Sequence, residues 1–310
     1  MAENRTPPGD RRSPSGRPPT VAVVGPGAIG TTIAALLHRA GQTPLLYGRT
    51  PRPCVTLHDD EGSVTVPGPV RTRPEQAEGP VDLVFLAVKT TQVEAAAVWL
   101  GALCHPGTVV CVLQNGVEQL ASVTPHAAGA AVVPAVVWFP ATTQPDGSVR
   151  LRASARLTLP DLPASRVVVA ALEQTACSVE LAPHFRAVAW RKLLQNAVAG
   201  LMVPARRRSG MFVRDDIAEL AERYLREGLA VARAEGAELG DETVGEIIRY
   251  FRANPADLGT SILTDSQAGR PLEWDTRNGI IRRRGLAHGI PTPVSDVLVP
   301  LLAASSDGPG

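Results

Sequence analysis

This sequence has little of what marks several large classes of protein. Its formal net charge is only +1, so no long-range electrostatic field favours nucleic acid or a membrane surface as a partner. No apolar run approaches the ~18 residues that a membrane-spanning helix requires. The four cysteines are dispersed, with no CxxC pair, and this predicts reduced, buried thiols in a cytoplasmic protein.

Several catalytic signatures are also absent from the 310 residues. There is no HExxH zinc motif, no P-loop and no Ser-His-Asp set. The six histidines fall at unrelated positions without ligand spacing, so we expect no metal site. Residues 1–19 are rich in Pro, Arg, Gly and Ser and contain no apolar segment, which excludes a secretory signal peptide and predicts a disordered tail.

The informative part of the chain begins at Thr20 with a strand, a glycine turn and a helix, in that order. Residues 21–24 form a VAVV run, which is typical of a strand buried on both faces. A complete GxGxxG turn follows, and then apolar residues continue at helical spacing as far as Gly41, which can end the helix. This order favours a dinucleotide pyrophosphate site over a purely structural glycine turn. The predicted cofactor-binding residues of the turn are Gly25, Gly27, Ala28, Ile29 and Gly30.

Arg49 discriminates between two dinucleotides. It lies 19 positions after Gly30, just beyond a predicted strand at residues 43–47, and no acidic residue stands beside it. An NAD site commonly places Asp or Glu there to bind the ribose 2′-hydroxyl, whereas a guanidinium suits a 2′-phosphate. Arg49 therefore favours NADPH, and the alternative is an exposed loop arginine.

The strand and helix patterns divide the chain into two domains. Up to residue 183, buried strands alternate with helices, which predicts a parallel, doubly wound sheet of the Rossmann type. Further strands are expected at residues 81–88, 108–113, 131–139, 148–153 and 178–181, with a hairpin-like excursion in residues 53–70. From His184 onward, long helical patterns replace the strands. The predicted fold is α/β, with residues 20–183 as the nucleotide-binding domain and residues 184–310 as an all-helical domain.

Lys89 and Asn115 each stand just beyond the carboxyl end of a predicted buried strand. Ligands of open α/β sheets bind at that edge. Taken singly, a lysine at a strand end is an ordinary solvated charge, and an Asn-Gly pair is an ordinary turn. Their shared location leaves a site and a structural role as equal alternatives, and we include both among the candidate cofactor-binding residues.

Lys192 and Asn196 are the first polar candidates in the helical domain. They are four residues apart and project from one face of a helix that is otherwise largely apolar. Partial burial would lower the pKa of Lys192 towards a range useful for proton donation. The alternative is a lysine whose ammonium reaches water.

Glu273 and Ser261 are the remaining candidates. Pro271 suits the first position of a helix, which would place Glu273 in the first turn, where the helix dipole stabilises a carboxylate. Glu273 could also pair with Arg277, four residues on. Ser261 is either a polar site residue or the cap of a short helix.

Taken in order, these residues and their neighbours resemble the ketopantoate reductase family. The resemblance runs from residue 21 to about residue 293. It is carried by GPGAIG at 25–30, Arg49, VKTTQ at 88–92, QNGV at 114–117, WRKL at 190–193, TSIL at 260–263, GRPLE at 269–273 and HGIPTP at 288–293. Each segment is short, but the ordered set is specific.

The resemblance implies a Rossmann domain with a helical partner domain and an NADPH-dependent reduction of a 2-keto acid, most simply ketopantoate to pantoate in pantothenate synthesis. Lys192 matches the family's catalytic lysine, which polarises the carbonyl and donates a proton. Glu273 matches the carboxylate that helps to hold this lysine and the substrate hydroxyl. The matched residues near the nicotinamide and its ribose are Asn115 and Lys89, and the matched substrate-binding residues are Asn196 and Ser261.

Two positions depart from the family pattern. Gly200 stands where the family has a second asparagine, and Ser209 stands where a later substrate-side asparagine is expected. We expect both positions to line the substrate pocket, where fewer amide groups mean fewer hydrogen bonds to the substrate. They leave open a relative that reduces a different ketone, keto acid or imine.

A third alternative is a non-catalytic sensor that binds NADPH. It would need the glycine turn but neither Lys192 nor Glu273, so the presence of both argues against it. The expected partners are NADPH and a small keto substrate, with no nucleic acid, membrane or metal. A homodimer is the assembly that we retain as an option.

Overall fold

The computed structural model describes residues 19–307, so the predicted tail lies outside the described residues apart from Pro19. The strands are β1 (Val21–Val24), β2 (Leu45–Tyr47), β3 (Cys54–Asp59), β4 (Gly62–Pro67), β5 (Leu83–Leu86), β6 (Val109–Val112), β7 (Ala131–Pro134), β8 (Val136–Val137), β9 (Ala141–Thr143), β10 (Val149–Leu151), β11 (Ala155–Pro160) and β12 (Cys177–Ala182). The helices are α1 (Ala28–Arg39), α2 (Val93–Leu103), α3 (Gln119–Val123), α4 (Ser165–Leu172), α5 (Phe185–Ala199), α6 (Met202–Ala205), α7 (Asp215–Ala234), α8 (Glu242–Ala253), α9 (Ser261–Gln267), α10 (Ile280–Ala287) and α11 (Pro293–Asp307).

A five-stranded sheet in the order β2-β1-β5-β6-β7 organises the first domain, and its strands are parallel. The chain moves outward from β1 to β2 and then returns to β5 on the other side of β1. The loops after β1 and β5 therefore diverge and leave a crevice at the carboxyl edge of the sheet. The glycine turn follows β1 and Lys89 follows β5, so the topology brings both to this crevice.

Helices cover both faces of this sheet. Val23 and Phe85 face the side covered by α1, where Ile33 and Leu37 are fully buried. The alternate strand residues face α2 on the other side, where Leu100 is fully buried. Burial on both faces explains why the strands are apolar throughout rather than alternating with polar residues. The structure confirms the predicted doubly wound α/β sheet.

Two smaller sheets join the first domain and account for the largest departures from the predicted strands. The order of one is β4-β3-β10-β9, and its β3-β4 pair confirms the predicted hairpin. The order of the other is β12-β11-β8, in which β11 was not predicted. The single strand predicted over residues 131–139 is wrong, because the chain leaves one sheet at Ala135 and enters another. The turn at residues 145–147 joins β9 to β10, which pair in antiparallel fashion.

The second domain is a helical bundle. The last strand ends at Ala182 and α5 begins at Phe185, and we propose the domain boundary between them. The bundle core is built on large buried side chains, among them Trp190 on α5 and Tyr224 on α7. The long helices α5, α7, α8, α10 and α11 confirm the helical character predicted from His184 onward.

The helix expected to begin at Pro271 begins at Trp274 instead. The backbone N–H of Leu272 donates to Ser306 Oγ at 2.9 Å and so joins this stretch to α11. The turn Asp275–Gly279 is π-helical and continues directly into α10. Glu273 therefore precedes the helix rather than lying in its first turn, and π-helical turns are frequent at functional sites.

The described residues also bear on the sequence's absences. The four cysteines are free, and all are buried except Cys54, which is partly exposed. Within residues 19–307, no three His, Cys, Asp or Glu side chains are grouped so as to hold a metal ion. No helix in this range has the length and apolar character needed to cross a bilayer.

Candidate active site

The glycine turn after β1 is shaped by close contacts at its first and third glycines. Gly25 has φ +88°, and a Cβ there would lie 2.7 Å from Val88 Cγ1 at the end of β5. A Cβ on Gly30 would lie 2.3 Å from the Gly25 carbonyl oxygen. At Gly27, in contrast, a Cβ would meet no atom within 4 Å. Packing thus explains why positions 25 and 30 are glycine, whereas Gly27 leaves one face of the turn open.

The N-terminus of α1 opens onto that face. Gly27 is the N-cap residue, no side chain caps the first turn, and the first turn contains no acidic residue. The first-turn N–H groups, which include those of Ala28 and Ile29, are therefore left for an external acceptor. An open glycine and uncapped N–H groups fit the pyrophosphate of a dinucleotide.

Arg49 lies next to this turn. It follows Gly48, and a Cβ on Gly48 would lie 3.0 Å from Pro26 Cδ, so the chain after β2 packs against the glycine turn. Arg49 is exposed and has no ion-pair or hydrogen-bond partner within residues 19–307. A free guanidinium beside the glycine turn is suited to a 2′-phosphate.

Lys89 joins the two domains. Its Nζ lies 2.9 Å from Asp265 Oδ2 on α9, and the same carboxylate accepts from Arg270 Nε at 2.8 Å. Lys89 remains 39% exposed at its side chain, so its ammonium reaches both this carboxylate and solvent. The predicted cofactor-side lysine thus also holds α9 against the edge of the sheet.

Asn115 and Asn196 meet across the domain junction. Asn196 Nδ2 on α5 donates to Asn115 Oδ1 at 3.2 Å. The loop that carries Asn115 is fixed by Gln114, whose Nε2 donates to the Val88 carbonyl at 2.9 Å. It is fixed further by Gln119, whose Nε2 donates to the carbonyl oxygens of residues 114 and 116. The structure brings one predicted cofactor-side residue and one predicted substrate-side residue together.

Lys192, one turn before Asn196 on α5, is partly buried and has no anionic partner. Its Nζ lies 4.7 Å from the ring centroid of Trp138, and within the described chain it makes no hydrogen bond or ion pair. Burial lowers the pKa of Lys192 to about 8, and the neighbouring charges of Arg277, Arg156 and Arg191 act in the same direction. An amine with this pKa exchanges protons near neutral pH.

Glu273 is paired with Arg277 rather than with Lys192. Glu273 Oε2 lies 3.4 Å from Arg277 Nη2, and both side chains are at most 10% exposed. Its other carboxylate oxygen accepts from the Thr90 backbone N–H at 3.5 Å. No hydrogen bond or ion pair joins Glu273 to Lys192 in the part of the chain that the structure describes. Glu273 is therefore bonded to Arg277 and Thr90 in the structure, and the hold on Lys192 that the resemblance implies stays a prediction.

Ser261 belongs to the same group of side chains. It is the first residue of α9, and Thr260 rather than Ser261 is the N-cap residue. Its Oγ accepts a hydrogen bond from Arg277 Nη2 at 3.0 Å. Ser261, Arg277 and Glu273 therefore form a connected series beside Lys192.

Gly200 and Ser209 both lie among buried residues of the helical domain. A Cβ on Gly200 would lie 2.6 Å from Asn278 Nδ2, and Asn278 is completely buried. Asn278 Nδ2 donates to Tyr224 Oη at 2.8 Å and to the carbonyl of Ala197. Ser209 is 1% exposed, and its Oγ has no hydrogen-bond partner in the described residues. Within the described residues Ser209 makes no hydrogen bond to Lys192 or Ser261, and the place of both positions in the substrate pocket stays a prediction.

Two residues at the site were not singled out from the sequence. Trp138, just after β8, lies under Lys192 and donates from Nε1 to Thr158 Oγ1 at 2.9 Å. Its position depends on the sheet change after β7, which the sequence pattern does not reveal. Arg277 was considered only as a local partner of Glu273. The sequence did contain a signal that Arg277 is buried, because helical spacing places it on the same face as the buried Ile280 and Ile281.

Comparison with known proteins agrees with these features. Residues 21–164 match the family described as "Ketopantoate reductase PanE/ApbA", and residues 184–306 match "Ketopantoate reductase PanE/ApbA C terminal". The chain is 57% identical over 291 residues to a 2-dehydropantoate 2-reductase of Mycobacterium tuberculosis, covering 94% of this chain and 99% of the relative. It is 35% identical over 288 residues to a Caulobacter vibrioides protein of the same name, covering 93% of this chain and 99% of that relative.

A solved structure is also similar over nearly the whole chain. The dimeric ketopantoate reductase of Staphylococcus aureus superposes with a TM-score of 0.85 at 27% identity, covering 94% of this chain and 100% of that one. These matches together span both the glycine turn and α5, the helix that carries Lys192. The chain therefore belongs to the ketopantoate reductase family.

Proposed function

We propose that this protein reduces ketopantoate (2-dehydropantoate) to pantoate with NADPH. The observation that carries the proposal is Lys192, a partly buried amine with no anionic partner and a pKa of about 8, one helical turn from the Asn115–Asn196 pair. The name shared by the M. tuberculosis and C. vibrioides relatives supplies the substrate. Bound NADPH supplies a hydride to the keto carbon.

Lys192 acts in this proposal on the carbonyl oxygen. Its ammonium donates a hydrogen bond that polarises the carbonyl and then transfers its proton as negative charge develops, which gives the 2-hydroxy acid. The Trp138 ring beneath Nζ restricts where the ammonium can lie. The amides of Asn115 and Asn196 orient the substrate and the nicotinamide side of the site, and Ser261 contributes a substrate contact.

The cofactor preference follows from the turn and from Arg49. Gly25, Gly27 and Gly30, with the N–H groups of Ala28 and Ile29, hold the pyrophosphate. Arg49 binds the 2′-phosphate, and Lys89 and Asn115 lie on the nicotinamide and ribose side. Glu273 supports the site by binding Arg277.

A test of the function is direct. Purified protein is mixed with NADPH and ketopantoate, and the loss of NADPH absorbance is followed. We expect turnover that depends on both components and is lost in Lys192→Met. Lack of turnover at millimolar ketopantoate would contradict the substrate assignment.

The second candidate function is the NADPH-dependent reduction of a different ketone, keto acid or imine. It is favoured by Gly200 and Ser209, since neither supplies the amide that the family pattern has at its position. A panel of 2-keto acids, ketones and imines with NADPH separates the two candidates. A higher kcat/KM for another panel member than for ketopantoate would favour the second.

We further propose a homodimer, because the S. aureus structure is described as dimeric. Light scattering of the purified protein tests this assembly. The mass of one 32.6 kDa chain would contradict it.

A further inference from the structure

Arg277 is a buried cation for which the proposed reaction has no direct use. The residue is 4% exposed, and its Nε is buried without a hydrogen-bond partner in the described residues. Nη2 donates to Ser261 Oγ at 3.0 Å and lies 3.4 Å from Glu273 Oε2. One neutral hydrogen bond and one long ion pair are little compensation for removing a guanidinium from water.

The charges around Arg277 do not balance. Arg277 and Lys192 are both cations, and Glu273 is the one carboxylate that an ion pair joins to either of them in residues 19–307. Two other cations affect Lys192, but each has its own partner: Arg191 lies 3.1 Å from Glu246, and Arg156 lies 3.5 Å from Glu180. The inner group therefore carries one excess positive charge.

The position of Arg277 places this excess next to the cofactor edge of the sheet. The preceding residue, Thr276, shares a 2.8 Å hydrogen bond with Thr90 in the loop after β5. Its methyl group also faces Gly116 in the loop after β6, where an added Cβ would lie 2.6 Å from Thr276 Cγ2. The π-helical turn thus lies against both loops, and the Arg277 side chain connects it with the start of α9.

We propose that Arg277 binds the carboxylate of the 2-keto acid and makes that carboxylate a requirement of this active site. The inference rests on the proposed function and adds the chemical group that the substrate must carry. A carboxylate supplies the missing negative charge, and a guanidinium binds it with charge-assisted hydrogen bonds. In a 2-keto acid the carboxylate is bonded to the keto carbon, so a cation beside Lys192 is correctly placed for it.

Arg277 offers the substrate a charged contact, whereas the two positions that depart from the family pattern offer none. Neither Gly200 nor Ser209 offers an amide to the substrate, and the completely buried Asn278 fills the space beside Gly200. Neutralisation by the bound carboxylate would also raise the pKa of Lys192 and keep its proton in place until transfer.

The test compares an acid with its neutral counterpart in variants of Arg277. The substrates are ketopantoate and its primary amide, and the variants are Arg277→Met and Arg277→Lys. Arg191→Met is the matched control, because it removes another cation near Lys192 that has its own partner outside this group. NADPH affinity, measured by titration without substrate, reports whether each variant retains its cofactor site.

We expect Arg277→Met to raise KM for ketopantoate by roughly a hundredfold, because one or two charge-assisted hydrogen bonds are lost. KM for the amide should be nearly unchanged. Arg277→Lys keeps part of the preference for the acid, and Arg191→Met keeps all of it. Equal losses on acid and amide, or an unchanged acid preference, would overturn the proposal.

A binding measurement keeps this test separate from that of the reaction. Calorimetric titration of pantoate and of its primary amide into the wild-type protein with NADP⁺ requires neither turnover nor a folded variant. Tighter binding of pantoate supports the carboxylate site even if ketopantoate proves a poor substrate, and equal binding counts against it. If Arg277→Met does not fold, Arg277→Lys and this titration decide the question.

Discussion

Asn196 on α5 donates a 3.2 Å hydrogen bond to Asn115, which follows strand β6 of the central sheet. This contact joins the helix that carries Lys192 to the edge of the sheet where we propose that a dinucleotide binds. The two domains therefore meet through side chains on which the proposed chemistry depends. The Lys89–Asp265 ion pair makes a second such connection.

The Asn115–Asn196 contact predicts energetic coupling between the two residues. Asn115→Ala and Asn196→Ala each lower kcat/KM, and the double variant loses less than the sum of the two effects. A double-mutant cycle on kcat/KM should give a coupling of roughly 0.5–1.5 kcal/mol, the net value of one hydrogen bond. Strict additivity would show that the contact does not contribute to the working site.

The pKa of Lys192 predicts the alkaline limb of the pH profile. The free lysine must be protonated to act as the acid, so kcat/KM is level below its pKa of about 8 and declines above it. The groups that set this pKa, besides burial, are Arg277, Arg156 and Arg191, so Arg191→Met should move the limb to higher pH. A profile that stays level up to the ordinary lysine pKa of 10.5 would contradict this role.

Arg49 predicts the choice of cofactor. Arg49→Ala should weaken the binding of NADPH by roughly ten- to a hundredfold, which is the value of one charge-assisted contact. The affinity for NADH should be nearly unchanged. Arg150→Ala, an exposed arginine in the same domain, is the control and should leave both affinities as they are. Fluorescence titration of the two cofactors measures the difference. Equal weakening of NADPH and NADH by Arg49→Ala would exclude a 2′-phosphate contact.

Gly200 predicts a stability effect rather than a gain of function. Gly200→Ala places a methyl group 2.6 Å from the buried amide of Asn278 and should destabilise the protein by about 1–3 kcal/mol. Gly101→Ala on α2, where a Cβ meets no atom within 4 Å, is the matched control and should be neutral or stabilising. Urea unfolding compares the two variants. Equal stability of both would show that the packing around Asn278 can adjust.

The sequence predicted most of the fold because its strongest signals are local. The apolar β1 run, the glycine turn and α1 follow one another directly, and the lysine helix has an uninterrupted pattern. The failures occur where a distant contact decides the local structure. The strand at residues 131–139 divides because its two halves join different sheets, and the stretch between Pro271 and the helix is bonded to the distant Ser306.

The candidate site shows the same division. Residues such as Lys192 and Asn196 could be selected because they share a helix face, and Lys89 and Asn115 because each ends a strand. The ring of Trp138 beneath Lys192, and the pairing of Glu273 with Arg277 rather than with Lys192, depend on segments far apart in the chain. Spacing alone cannot reveal such contacts.

The most direct test of the proposed function is the turnover of ketopantoate with NADPH by the wild-type protein and by Lys192→Met. The account predicts wild-type turnover and a variant whose kcat/KM is lower by roughly 10²–10⁴-fold, the usual contribution of a general acid. NADPH affinity should be the same in both proteins, because Lys192 is assigned to the carbonyl oxygen and not to the dinucleotide. Full activity in Lys192→Met would contradict the central claim.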